Sequence, residues 1–239
     1  MDAVIKGHAV GALRRKGAAT LRVLAALLSY PDAALRRHLP EMAELLAADG
    51  ALGRARATEI HALMRWLAAT DPVDVEVAYV ELFDRGRASS LYLFEHVHGD
   101  SRDRGPAMID LGEMYAKADL LLTPDELPDY LPVMLEFIST QPPREARAFL
   151  DEIAHLLNAV FGALQHRGSA YASVLGALLD MAGRKAQPVE PAPEPGIDES
   201  WTEPPAFDGC SSQGQARPGE PQPVRIVRKS DHPHQGAPQ

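Results

Sequence analysis

The feature that most constrains the fold is the spacing of apolar side chains, which repeats with the period of an α-helix in segment after segment. Apolar residues recur at positions i, i+3, i+4 and i+7, and this spacing places them on one face of a helix. The clearest runs are Leu21, Leu24, Ala25 and Leu28; Ile60, Leu63, Met64 and Leu67; Leu131, Met134, Leu135 and Ile138; Ile153, Leu156, Leu157, Val160 and Leu164; and Tyr171, Val174, Leu175 and Leu178. No comparable run alternates apolar and polar residues as a half-buried strand does. Because Ala and Leu are abundant and β-branched residues are sparse, intrinsic propensity also favours an all-α fold.

Capping residues divide this pattern into separate helices. Asp71-Pro72 is typical of an N-cap followed by proline at the first helical position, and Thr123-Pro124-Asp125-Glu126 is typical of a capping box. Asp49-Gly50 indicates a helix end. The sequence therefore predicts a single domain of eight to ten helices. Their approximate ranges are 18–29, 32–38, 40–48, 52–69, 72–83, 86–96, 102–118, 124–139, 143–165 and 169–182.

The composition changes abruptly after Arg184. Eleven of the twenty prolines lie between Pro188 and Pro238, and very few aliphatic residues accompany them. Such a segment buries too little apolar surface to offset the entropy lost on ordering. We therefore predict a helical domain at residues 1–182 and a disordered, proline-rich tail at residues 183–239.

Charge and cysteine content restrict the partners and the compartment. The formal net charge of -9 disfavours a nucleic acid partner, because the phosphate backbone would be repelled. The single cysteine, Cys210, excludes an internal disulfide and is typical of a reducing compartment. No stretch approaches the roughly 18 uncharged apolar residues that a spanning helix needs. We predict a cytoplasmic protein without stable membrane association.

Motifs for common catalytic sites are missing from the sequence. The serine hydrolase elbow G-x-S-x-G and the phosphate loop G-x-x-x-x-G-K-[ST] do not occur. Cys210 lies in the predicted tail, away from any structured pocket that would stabilise a thiolate. The sequence therefore predicts no catalytic residue and no enzyme activity.

The densest polar cluster runs from Glu95 to Gly105 and has three interpretations. Glu95, His96, His98 and Asp100 are potential metal ligands, as in a metal carrier or a metal-dependent hydrolase, although i, i+2 spacing does not place two histidines on one helical face. The same residues are also typical of a capped corner between two helices. A third interpretation is a protein-contact surface, because aromatic residues precede the cluster and its charges can orient a partner.

Three long strings in this sequence resemble a known family. They are Tyr-Val-Glu-Leu-Phe-Asp-Arg-Gly-Arg at 79–87, Leu-Phe-Glu-His-Val-His-Gly-Asp-Ser-Arg-Asp-Arg-Gly at 93–105, and Leu-Pro-Asp-Tyr-Leu-Pro-Val-Met-Leu-Glu-Phe at 127–137. They resemble the NarJ-type nitrate reductase assembly chaperones, which are relatives of the TorD-like redox-enzyme chaperones. The resemblance covers roughly residues 20–180 and leaves out the tail.

This resemblance implies an all-helical fold and no catalytic activity. We predict no cofactor and no metal ligand in the chain itself. It implies a protein client, the catalytic α subunit of a respiratory nitrate reductase, bound through its N-terminal region. The chaperone would keep that subunit competent for insertion of the molybdenum cofactor before membrane docking. It would not be part of the finished enzyme.

Within this interpretation we predict the client-binding surface from the strings at 79–87 and 93–105. Its apolar trough would be formed by Tyr79, Leu82, Phe83 and Phe94. Its polar and charged residues would be Asp84, Arg85, Glu95, His96, His98, Asp100, Arg102, Asp103 and Arg104, with the acidic ones meeting basic client residues.

Overall fold

The computed structural model describes residues 16–99, 101–123 and 126–187, and these ranges contain ten α-helices. The helices are α1 (Ala18–Leu28), α2 (Ala33–Asp49), α3 (Arg54–Ala69), α4 (Pro72–Phe83), α5 (Leu93–His98), α6 (Arg104–Lys117), α7 (Leu131–Thr140), α8 (Pro143–Glu152), α9 (Ala154–His166) and α10 (Ala172–Ala182). A 3-10 turn at Arg87–Ser89 connects α4 to α5. The extended pairing found in these ranges is one isolated antiparallel bridge between Tyr92 and Tyr130. The predicted all-α fold is confirmed.

Helix α1 lies at the centre of the core. It packs against α7, α2 and α10, and apolar side chains on most of its circumference are buried, including Leu21, Leu24, Leu27 and Leu28. A helix that is apolar on nearly all sides can be stable only when neighbours cover it on nearly all sides. Helices α7, α2 and α10 therefore cover most of the surface of α1. None of the helices in the described ranges has the length and hydropathy needed to span a membrane.

The predicted capping signals at Asp71 and Gly50 are confirmed. The Asp71 side chain accepts a hydrogen bond from the Val73 N–H at 2.9 Å, and Gly50 adopts a left-handed conformation with φ of 61°. Such a positive φ at a helix end favours glycine.

A long-range cap at the start of α1 has no local sequence signal. The Asp49 carboxylate, at the end of α2, accepts hydrogen bonds from the Gly17 N–H at 2.9 Å and the Thr20 hydroxyl at 2.6 Å. Asp49 thereby takes the role that a local Ser, Thr or Asp usually has at a helix N-terminus.

Several predicted helix boundaries were wrong. The predicted break near Pro40 does not occur, because α2 continues through this proline. Pro40 is exposed, so water can bond to the carbonyl group that its missing N–H leaves unpaired. The predicted helix at 143–165 is instead two helices, which meet at Ile153. The predicted helix at 86–96 is the 3-10 turn followed by the short α5.

The helix predicted to start at residue 124 starts at Leu131 instead. Pro128 disfavours helical geometry at the residue before it, and residues 126–130 form a non-helical linker. This linker pairs with the start of α5, where Leu93 N–H donates to the Asp129 carbonyl at 3.0 Å and Leu131 N–H donates to the Leu91 carbonyl at 2.8 Å. The pairing brings the string at 127–137 against the string at 93–105.

All described residues belong to one compact unit. Helix α10 ends at Ala182, and the predicted division of the chain after residue 182 stays a prediction. The part of the predicted disordered tail from residue 188 onwards lies outside the described residues. Asp100 of the predicted site also lies outside them.

Candidate client-binding surface

An aromatic cluster on α4 connects the predicted site to the core. Tyr79 and Phe83 are only 4% and 5% exposed, and their ring centroids lie 4.8 Å apart. Both rings contact Tyr171, at 6.1 Å and 5.2 Å. The Tyr79 hydroxyl donates a hydrogen bond to the Leu28 carbonyl at 2.8 Å, at the end of α1. These two predicted trough residues are therefore mainly core residues, and they reach the surface only as walls of a cavity.

A cavity of about 150 Å³, which we call the tyrosine cavity, opens beside this cluster. Its lining consists of Tyr30, Tyr79, Phe83, Asp84, Leu91, Tyr92 and Tyr130. Three predicted site residues thus meet there with Tyr30, Tyr92 and Tyr130, which the predicted site did not include. Tyr130 lies in the string at 127–137, and Tyr92 directly precedes the string at 93–105. Their position in or next to these strings is the sequence signal that could have identified them as site residues.

A larger cleft of about 490 Å³ lies on the other side of the aromatic cluster. Trp66, Glu81, Leu82 and Tyr171 line it, so Leu82 faces a different cavity from Asp84. Within the described part of the chain the Tyr171 hydroxyl has no hydrogen-bond partner. Burial raises the pKa of Tyr171, so this phenol stays protonated at physiological pH.

Two further predicted residues, Glu95 and Arg104, meet at the corner between α5 and α6. Arg104 Nη2 lies 3.6 Å from Glu95 Oε1 and 3.5 Å from Asp129 Oδ2. Asp129 also accepts a hydrogen bond from the Phe94 N–H at 3.2 Å. Arg104 on α6 therefore forms ion pairs with both α5 and the linker before α7. These two ion pairs stabilise the corner.

Asp129 is a buried carboxylate that sequence reasoning missed as a site residue. Its side chain is 0% exposed, and its Oδ1 has no hydrogen-bond partner among the described residues. Burial raises the pKa of Asp129, while the Phe94 N–H and the charge of Arg104 act in the opposite direction. The signal that could have found Asp129 is its place in the string at 127–137.

The polar side chains of α5 have partners within the corner. The Ser90 hydroxyl donates to Glu95 Oε2 at 2.6 Å, and His96 Nε2 lies 2.9 Å from the Ser90 carbonyl, so that nitrogen donates. The His98 ring packs edge-on against Phe94 at 5.4 Å. Across the described ranges no three His, Cys, Asp or Glu residues are placed to hold a metal ion.

The other predicted charged residues lie on the surface. Asp84, Arg85, Arg102 and Asp103 are all exposed. Asp103 begins the turn into α6, where its backbone N–H donates to the Ser101 hydroxyl at 3.2 Å. The structure thus brings Asp84 to the tyrosine cavity and places Arg102, Asp103 and Arg104 at the corner.

An exposed apolar stripe on α4 leads to the tyrosine cavity. Val73 and Val77 are 65% and 51% exposed, Val80 is half-buried, and Asp84 follows on the same helical face. This face is about 16 Å long from Val73 to Asp84, at 1.5 Å per residue. An apolar stripe of this kind, ending at a charge, suits the apolar face of a partner helix.

Comparison with known proteins identifies the family. The model of the family described as "Nitrate reductase delta subunit" matches residues 31–175. The chain is 47% identical over 162 residues to the nitrate reductase molybdenum cofactor assembly chaperone NarJ of Escherichia coli K12, covering 68% of this chain and 69% of that protein. It is 38% identical over 164 residues to NarW of the same strain, covering 68% of each chain.

A solved structure supports the fold separately. An Archaeoglobus fulgidus protein described as a redox enzyme maturation protein superimposes with a TM-score of 0.52 at 20% identity, covering 74% of this chain and 98% of that one. The family match at residues 31–175 contains the strings at 79–87, 93–105 and 127–137. The chain belongs to the nitrate reductase delta subunit family, among its NarJ-type assembly chaperones, which are not enzymes.

Proposed function

We propose that this chain binds the N-terminal region of the catalytic α subunit of a respiratory nitrate reductase. Binding keeps that subunit competent for molybdenum cofactor insertion until it docks at the membrane. The chain acts in the cytoplasm, holds no cofactor of its own and is absent from the finished enzyme. The observation that carries this proposal is the 47% identity to E. coli NarJ, together with a family match whose range contains every predicted site residue.

The surface features of α4 and of the α5–α6 corner support peptide binding. The stripe of Val73, Val77 and Val80 offers apolar area that no other described element covers fully. Asp84 follows this stripe on the same helical face, and Glu95 lies at the α5–α6 corner. Burial raises the pKa of Tyr92 in the tyrosine cavity, and the charges of both carboxylates raise it further. An amphipathic client helix with basic residues would bury its apolar face on the stripe, while the acidic groups set its orientation.

Isothermal titration calorimetry with a peptide of the α-subunit N-terminus tests this proposal. We expect saturable binding to the full chain, weakened at least tenfold when Asp84→Lys and Glu95→Lys are combined, because both charges would then repel a basic peptide. Glu95 also pairs with Arg104, so circular dichroism must show that the variant keeps its helices. Asp110→Lys with Glu41→Lys is the matched control, since both residues are exposed and the charge change is equal.

The outcomes separate two claims. If the unaltered chain does not bind the peptide, the proposed client is wrong. If the unaltered chain binds the peptide and the folded double variant binds it with the same affinity, the proposed client is correct but its binding surface does not include Asp84 and Glu95.

A further inference from the structure

The tyrosine cavity is sized for one side chain. Its volume is about 150 Å³, well below the roughly 300 Å³ at which pockets for drug-sized ligands begin. Phe83 and Leu91 contribute apolar surface, and the other lining residues are four tyrosines and Asp84. A long side chain with an apolar stem and a polar end matches such a cavity.

The tyrosine rings surround the cavity at different angles. The Tyr30 and Tyr79 rings lie 5.6 Å apart and nearly perpendicular, at 80°. The Tyr92 and Tyr130 rings lie 5.2 Å apart and are tilted by 32°. Aromatic rings grouped around a small cavity attract a cation, because the face of each ring carries partial negative charge.

The hydroxyl groups of three of these tyrosines already donate their protons inside the protein. Tyr79 donates to the Leu28 carbonyl, and Tyr30 donates to Glu76 Oε2 at 2.8 Å. The Tyr130 hydroxyl lies 3.2 Å from that of Tyr79 and therefore donates to it, since the Tyr79 proton is already used. The oxygen lone pairs of these hydroxyl groups remain available as acceptors. They can accept hydrogen bonds from an ammonium or guanidinium group in the cavity.

Asp84 gives the cavity its charge. Of the described residues that line it, Asp84 is the one with a formal charge. Burial raises the pKa of Tyr79, Tyr92 and Tyr130, and the nearby charge of Asp84 raises each of them further. The phenols are therefore neutral at physiological pH, and the carboxylate lies close enough to act on all three rings.

We propose that the tyrosine cavity is the receptor for one basic side chain, Lys or Arg, of the client segment. This inference rests on the proposed function and specifies how the client is positioned. The α4 stripe of Val73, Val77 and Val80 ends at Asp84, so a helix lying on the stripe would place a basic residue at the mouth of the cavity. The cation then sets the position of the client along α4, because only one register brings it to Asp84.

The test is a double-mutant cycle measured by calorimetry with the full chain and the α-subunit N-terminal peptide. Each Lys and Arg of the peptide is replaced in turn by norleucine, which keeps an apolar stem and removes the charge. We expect Asp84→Asn to weaken binding about tenfold. One peptide position should cause a similar loss in the unaltered chain and almost no further loss in Asp84→Asn. Asp110→Asn, the control for an exposed carboxylate outside the cavity, should bind normally.

A second pair of variants tests the aromatic contribution. Tyr92 is half-buried, so its replacement should leave the fold intact. Tyr92→Phe keeps the ring face and should bind within twofold of the unaltered chain, whereas Tyr92→Leu should bind about fivefold more weakly. Equal affinities for the two variants would contradict a role for the ring.

Three results overturn the inference in distinguishable ways. A peptide that does not bind the unaltered chain refutes the proposed function. A second result is that Asp84→Asn binds the peptide normally and each norleucine substitution weakens its binding as much as it weakens binding to the unaltered chain. This result agrees with the proposed function but refutes the proposal that the cavity receives a basic side chain. The segment 224–229 carries the basic residues Arg225, Arg228 and Lys229. If no peptide position couples to Asp84, and changing these three residues to Gln strengthens peptide binding only when Asp84 is present, the occupant is the chain's own C-terminal segment and not the client.

Discussion

Replacing Arg104 with methionine should destabilise the domain more than any other single change at the α5–α6 corner. The guanidinium lies 3.5 Å from Asp129, whose side chain is fully buried. At that distance two unit charges attract by about 5 kcal/mol at an effective dielectric constant of about 20, and the cost of burying the carboxylate offsets much of this. Without the guanidinium, the buried Asp129 carboxylate keeps its desolvation cost but loses the attraction that offsets it. We expect the free energy of unfolding to fall by about 3 kcal/mol.

Urea unfolding followed by far-ultraviolet circular dichroism at pH 7 measures this loss. The melting temperature should fall by about 6 to 12 °C. The double variant Arg104→Met with Asp129→Asn should recover at least about 1 kcal/mol relative to the sum of the single changes, because the buried charge is gone as well. Arg102→Met, at the exposed neighbour, should change stability by less than about 0.5 kcal/mol. Additive losses from Arg104 and Asp129 would refute the conclusion that their ion pair holds the corner.

Four further outcomes are expected. Because burial raises the pKa of Asp129, the folded chain takes up this proton at higher pH than the unfolded chain. The stability of the unaltered chain relative to Asp129→Asn should therefore increase as pH falls from 7 towards about 4, and urea titrations at several pH values measure it. Asp49→Ala should cost about 1 to 2 kcal/mol in the same assay, because the start of α1 loses its cap. Tyr79→Phe should cost about 1 kcal/mol, since the buried Leu28 carbonyl loses its donor. A chain that ends at Gln187 should still support nitrate reductase maturation in cells, and a loss of enzyme activity would assign a role to residues 188–239.

Most helices were predictable from the sequence because their signals are local. The start of α4 follows from Asp71 and Pro72, and the end of α2 follows from Gly50. The break at Ile153 was not predictable, since neither proline nor glycine marks it and the apolar spacing continues through it. The cap that Asp49 gives to α1 joins residues 32 positions apart, a relationship that local patterns do not contain.

The candidate site was predictable as a region but not as a set of contacts. The strings at 79–87 and 93–105 contain Asp84, which lines the tyrosine cavity, and Arg104, which lies at the α5–α6 corner. Which of their residues share a cavity depends on long-range packing, which brings Tyr30 and Tyr130 beside Tyr79. Burial also distinguishes the roles of neighbouring residues, because Tyr79 belongs mainly to the core whereas Ala78 and Val80 beside it are half-buried.

The most direct test of the proposed function is the molybdenum content of the nitrate reductase α subunit isolated from nitrate-respiring cells that lack this chain. If the chain keeps the α subunit competent for cofactor insertion, that subunit should accumulate with little molybdenum, and supplying the unaltered chain should restore the metal. Supplying the Asp84→Lys, Glu95→Lys variant should restore much less. A full complement of molybdenum in the α subunit without the chain would contradict its role as the assembly chaperone.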